Sequence, residues 1–227
     1  VARFKVTVHD NIVGPLSKEV IKHLIATPDA DTETGLKYTT MLTLLYSTAT
    51  RISEILSLKI SDIFLGEPTP YINVLGKGNR FRRLTLIKPV RKHLKSYIQK
   101  IHGENPNPNN YLFFSRCKGK NKKCSTRSVN KQINVYLSIA RKKYPELPVH
   151  IHTHQFRHSM ATHLIDDGVN VFSVSKFLGH KSVSTTMKYI GITPKMTEKA
   201  MTQIESTSSL QMPQKWKKPA TLADLIK

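Results

Sequence analysis

The sequence predicts a mixed α+β fold that is mainly α-helical and carries a small antiparallel β-hairpin. Three observations predict it. Apolar residues recur at helical spacing along most of the chain, two short runs rich in β-formers flank a glycine-bearing turn, and Gly, Pro and Asn punctuate the intervals.

Residues 1–15 read as an approach segment. Ser17 caps a first helix whose inward residues are Val20, Leu24 and Ile25, and a longer helix through Met41, Leu42, Leu44 and Leu45 is apolar enough for the core, with Arg51 at its end. Tyr71 to Leu75 and Phe81 to Leu86 form the hairpin. Gly76-Lys77-Gly78-Asn79-Arg80 is its turn, with Lys77 near the tip. Val90, Leu94, Tyr97, Ile98 and Ile101 give another helix, followed by a loop rich in Asn and Pro, Asn105 to Asn110. A helix from Ser125 to Tyr144 buries Val129, Ile133, Leu137 and Ala140 and ends at Pro145. Thr153 caps the next, which carries Phe156, Met160 and Leu164 inward and stops at Gly168; Asn170 caps one that stops at Gly179.

The chain holds 36 Lys and Arg against 15 Asp and Glu, a formal charge of +21 on 227 residues. Such an excess favours counterion release from a polyanion, so nucleic acid is the leading partner class and a small neutral ligand is disfavoured. An acidic membrane surface is the competing class. No apolar run approaches the roughly 20 residues that span a bilayer, and the start lacks the apolar core of a signal peptide. Cys117 and Cys124 cannot build a disulfide framework and read as free thiols, so a reducing cytoplasm is the expected compartment. The basic residues expected along a DNA backbone are Arg80, Arg82 and Arg83 on the hairpin, and Lys118, Lys120, Lys122, Lys123, Arg127 and Lys131 beyond it. Between Cys117 and Cys124 the reading is a flexible basic loop.

Phosphodiester transfer needs cationic donors on the non-bridging oxygens, an in-line nucleophile and a proton for the leaving oxygen. Arg51 and Arg157 offer planar forks suited to phosphate. His154 lies three residues before Arg157 near a helix start, so the two can share a face beside free backbone N–H groups. Leu178-Gly179-His180 is followed nine residues after the histidine by Tyr189.

Arg51, Lys77, His154-x-x-Arg157, His180 and Tyr189 stand in the order and spacing of the tyrosine recombinase (phage integrase) family, and the chain resembles its Xer-like and mobile-element branch over residues 16 to 200. The resemblance implies the tyrosine recombinase catalytic-domain fold. It also implies attack by Tyr189 on a scissile phosphate, leaving a 3′-phosphotyrosyl link and a free 5′-hydroxyl without cofactor or metal. In that scheme Arg51, Arg157 and His180 hold the non-bridging oxygens, His154 assists proton transfer at Tyr189, and Lys77 protonates the 5′-oxygen. Glu54 supports the basic groups. Gln155 and Phe156 stand where relatives often carry other residues, and neither removes a reactive group.

The resemblance further divides the chain into the approach segment 1–15, expected to follow a separate DNA-binding domain, a catalytic domain 16–204, a linker 205–219 and a C-terminal helix 220–227. The stripe Leu222, Leu225 and Ile226 suits docking on a neighbouring protomer. The implied partners are double-stranded DNA at a specific site and further copies of the chain, as a tetramer, acting on the nucleoid in a bacterial cytoplasm.

Other readings stand beside these. His150, His152, His154, His158 and His163 invite a zinc site, but Gln155 occupies the place where a metalloprotease helix needs glutamate, and His158 and His163 read as structural. Gly76-Lys77-Gly78 lacks nucleotide-loop spacing. A type IB topoisomerase shares the implied chemistry but acts alone, and a DNA-binding protein that is catalytically idle could keep the fold.

Overall fold

In a computed structural model, residues 14–76, 80–180, 182–187 and 189 are described. The expectations for residues 1–13, Lys77 at the hairpin tip, the linker and the C-terminal helix lie outside them. Ser17 accepts the Val20 N–H at 3.2 Å and starts α1 (Lys18–Ala26). The helix buries Ile21 and Leu24, while Val20 and Ile25 are only half-buried. Thr32 caps α2 (Glu33–Thr48) by accepting the Gly35 N–H at 2.9 Å. A side chain at position 35 would collide with the Asp29 backbone, so glycine is what lets the connection fold tightly onto α2. Met41, Leu42, Leu44 and Leu45 are fully buried, because α2 packs against α1, α4 (Lys88–His102) and α6 (Thr153–Asp166).

Between α2 and α4 lie α3 (Ile52–Leu56), a single 3₁₀ turn at Ile60–Asp62 and three strands, β1 (Ile63–Phe64), β2 (Tyr71–Gly76) and β3 (Arg80–Thr85). They form an antiparallel sheet in the order β1-β2-β3, so the expected hairpin gains a third strand. Val74 faces Arg82 and Ile72 faces Leu84; Ile72, Val74 and Leu84 are buried. Strand alternation therefore sends Arg82 to the covered face and its neighbours Phe81 and Arg83 to the open one.

The basic stretch expected as a flexible loop is instead a second antiparallel pair, β4 (Phe114–Ser115) with β5 (Gly119–Lys123). Backbone pairing explains it: Tyr111 N–H donates to the Lys120 carbonyl and Cys124 N–H to that of Phe113, both at 3.0 Å. Lysine repulsion does not prevent a ladder whose Lys122 and Lys123 side chains reach solvent. Cys117 is exposed and Cys124 buried, and neither is in a disulfide.

Helix α5 (Thr126–Lys143), capped by Ser125, buries Val129, Ile133, Leu137 and Ala140 as expected. For α6 the inward face differs. Phe156 is buried, but Met160 and Leu164 are only half-buried, and Arg157, Ser159, Ala161 and Ile165 are covered. The helix is packed against α2 and against α7 (Val171–Leu178), so a one-sided stripe could not describe it. Thr153 is its first residue, and the cap is His152, whose N–H donates to the Gln155 side-chain carbonyl at 2.8 Å. Asn170 caps α7 and Gly179 closes it at φ +71°; the four-residue α8 (Ser184–Met187) follows. No described helix is long and apolar enough to cross a membrane.

Candidate active site

The site forms where α2, α3, β3, α6 and α7 meet. At the end of α2, Ala49 adopts the left-handed region at φ 48° and ψ 30°, uncommon for a residue with a side chain. Its carbonyl accepts from Arg157 Nη1 at 2.7 Å. Arg157 Nη2 donates to the Leu178 carbonyl at 2.8 Å, so one buried guanidinium, 1% exposed, joins the ends of α2 and α7. These two bonds use two of its five N–H groups.

Arg51 caps α3 from outside the helix, and Glu54, on the first turn, accepts the Arg51 backbone N–H and Arg51 Nη1, each at 3.0 Å. Glu54 also accepts from Arg82 Nη2 at 2.8 Å, and Arg82 Nη1 donates to the Leu178 carbonyl at 2.5 Å. The Glu54 side chain is 4% exposed, that of Arg82 18% and that of Arg51 37%. Burial lowers Arg157 to about 10, with Arg51 and Arg82 pushing the same way and Glu54 and Tyr189 opposing; it stays charged at neutral pH. Among the described residues, Arg51 and Arg82 thus pair with Glu54 and Arg157 lies close by, so positive charge is in excess.

His180 follows α7, and its Nδ1 lies 2.8 Å from the Thr186 hydroxyl. Burial first, then Arg157, Arg51, Arg82 and His154, push its imidazole down to about 4. It is neutral at pH 7. His154 stands exposed on the first turn of α6, yet partial desolvation, then Arg157 and Arg51, hold it below the ordinary imidazole range. Tyr189, half-buried, follows α8 with its N–H donating to the Thr186 carbonyl at 2.9 Å. Its ring stacks on His180 at a centroid distance of 6.1 Å and packs against His158 at 4.9 Å.

Arg51, Glu54, His154, Arg157, His180 and Tyr189 therefore converge, although 138 residues separate the first from the last (189 − 51). Lys77 lies outside the described residues, and of Arg80 only the backbone is described. Arg83, Lys118, Lys122, Arg127 and Lys131 are exposed; Arg83 lies over the Tyr71 ring at 3.9 Å, and Lys123, also exposed, donates to the Ser57 hydroxyl at 2.9 Å. Lys120 is half-buried and donates to the Ile101 carbonyl at 2.9 Å.

Arg82 corrects the expectation of a DNA-backbone contact: it points inward to Glu54 and Leu178 because it shares a strand face with buried Leu84. That two-residue alternation is a sequence signal that would have found it. His158, expected as structural, packs its ring against that of Tyr189. His163 bonds the Tyr46 hydroxyl through Nδ1 at 2.9 Å. Among the described residues, no group of three or more His, Cys, Asp or Glu is placed to hold a metal.

The model of the Phage integrase family matches residues 15–196. The chain belongs to the phage integrase family. It is 30% identical over 183 residues to the tyrosine recombinase XerD of Listeria monocytogenes serotype 4b, a match covering 78% of this chain and 58% of that protein. The tyrosine recombinase XerA of Pyrococcus furiosus is 30% identical over 187 residues, covering 82% and 60%. Among solved structures, XerA recombinase aligns with a TM-score of 0.66 at 27% identity, over 83% of this chain and 62% of that one. The Tn1549 transposon integrase in complex with transposon right end DNA aligns at 0.68 and 16% identity, over 87% and 67%, a likeness of fold. The mostly helical architecture with small antiparallel sheets is thus that of the phage integrase catalytic domain. The chain spans somewhat over half the length of the curated relatives it matches.

Proposed function

We propose that this member of the phage integrase family cuts and rejoins double-stranded DNA at a specific site through a covalent tyrosine intermediate. The observation that carries the reading is the cluster of Arg51, Arg82 and Arg157 about the Glu54 carboxylate, with the Tyr189 ring against His180. Fixed positive charge in a water-poor site stabilises the charge that develops on a phosphorane, and guanidinium forks match its equatorial oxygens.

In this reading the Tyr189 oxygen attacks phosphorus and its proton passes to His154, whose imidazole is held below its ordinary range by partial desolvation, then by Arg157 and Arg51. The bond from phosphorus to the 5′-oxygen breaks, and Lys77 protonates that oxygen. A 3′-phosphotyrosyl ester and a 5′-hydroxyl result; attack by a second 5′-hydroxyl reverses the step and joins a new strand. Arg51, Arg157 and neutral His180 hold the non-bridging oxygens, while Glu54 orients Arg51. Arg83, Lys118, Lys122, Lys123, Arg127 and Lys131 supply the salt-sensitive backbone contacts. The assembly is a tetramer on DNA in a bacterial cytoplasm, with 205–219 as linker and 220–227 docking on a neighbouring protomer.

The test is incubation with a nicked suicide substrate of the site, comparing the natural chain with Tyr189→Phe. A covalent protein–DNA adduct is expected only with the natural chain; none from either would overturn the reading. Relaxation of supercoiled plasmid by monomer, without exchange between sites, would replace recombination with a topoisomerase activity.

A further inference from the structure

We infer that Arg82 is a positioning residue for strand transfer, which ties the hairpin bearing Lys77 to the two sides of the phosphate pocket. The inference rests on the reading above and deepens it. Arg82 sits on β3, five residues after Lys77 in the sequence, and turns its guanidinium away from the open face of the sheet. One Nη reaches Glu54, which in turn holds both the backbone and the guanidinium of Arg51. The other Nη reaches the Leu178 carbonyl, which also accepts from Arg157 and stands two residues before His180. A single planar group thus spans the hairpin, the start of α3 and the end of α7.

Two further observations show how closely the site is built around it. A side chain at Gly179 would overlap Nη1 of Arg82. The Arg82 Nε is buried without a hydrogen-bond partner, so the side chain keeps its place despite an unsatisfied donor. A residue kept only for DNA affinity would stay on the exposed face, as Arg83 does over the Tyr71 ring. The geometry is that of a brace. It fixes the strand that follows Lys77 in the chain against the arginines of the pocket, where a misplacement of an ångström can cost about a hundredfold in rate.

The adjacent pair Arg82 and Arg83 gives the test its internal control. With the full chain and the nicked substrate, DNA affinity is measured across a salt series, and the rate of adduct formation is measured at saturating protein. For Arg82→Met we expect a rate about 100-fold lower, with affinity within about threefold and an unchanged salt slope. Arg82→Lys, which keeps one donor, should recover part of the loss. Arg83→Ala should instead weaken binding and reduce the salt slope by about one. If Arg82→Met folds poorly by thermal melting, the Lys variant carries the comparison. A lowered affinity and salt slope with an unchanged saturating rate would overturn the inference, because Arg82 would then be a phosphate contact. An unchanged rate and affinity would overturn it too, leaving only packing. Either result with normal adduct formation by the natural chain leaves the proposed function standing, whereas absence of that adduct removes the function itself.

Discussion

Glu54→Ala removes the carboxylate that, among the described residues, faces the arginines, and its consequence can be worked from the contacts. Glu54 accepts three hydrogen bonds, from the Arg51 N–H, Arg51 Nη1 and Arg82 Nη2. Losing the N–H contact at the first turn of α3 costs about 1 kcal/mol, the usual net value of such a bond. Arg82 is then left charged and mostly buried with no carboxylate, and breaking a buried pair costs about 3 kcal/mol at the lower end of the measured range. Arg51 is more exposed and rehydrates, so its contribution is small. The sum, about 4 kcal/mol, corresponds to a fall in Tm of about 8–16 °C for a domain of this size. The same argument makes the vacated site a better anion trap. Inorganic phosphate should raise the Tm of Glu54→Ala more than that of the natural chain, by mass action on the folded state. Calorimetry with and without phosphate reads both effects. A fall below about 2 °C, with equal phosphate response in the two proteins, would refute the reasoning that Glu54 balances the cluster.

Two further outcomes follow from the same geometry. His180 is pushed down to about 4 in the free protein, below its unfolded value. Between those values the unfolded chain binds more protons, so this group's contribution to stability is present above the unfolded pKa and is lost as pH falls through the folded one. A bound phosphate favours the protonated form, so the imidazole resonance, followed by NMR, should titrate at higher pH when nicked DNA is added; no upward movement would remove His180 from the phosphate site. Gly179→Ala places a methyl group against Arg82 at a left-handed φ, which we expect to cost about 1–2 kcal/mol in a denaturant melt and to slow adduct formation at saturating protein.

The helical framework was legible because its signals are local. Ser17 and Asn170 cap helices, Gly179 ends one, and Val129, Ile133, Leu137 and Ala140 repeat at the spacing that buries one face. Local patterns failed where a residue answers to two neighbours at once. On α6, Arg157 is buried because α2 and α7 both cover it and supply carbonyls, and no periodicity announces a buried arginine. The β4–β5 pair was missed because composition argued for a solvated loop, whereas backbone pairing with Phe113 and Tyr111 decided it.

By itself the sequence determined the chemical inventory: Tyr189, the histidines His154 and His180, arginines suited to phosphate, and an excess of positive charge. Tertiary structure decided what the inward-turned arginine meets, while its neighbour stays exposed. Arg82 and Arg83 are adjacent and chemically identical, and strand alternation assigns them opposite faces, but only the packing of β3 against α3 and α7 puts Glu54 and the Leu178 carbonyl within reach of Arg82. The physical reason is range. Capping and periodicity act over a few residues, whereas the energy of a buried charge depends on groups that the chain brings together from far apart.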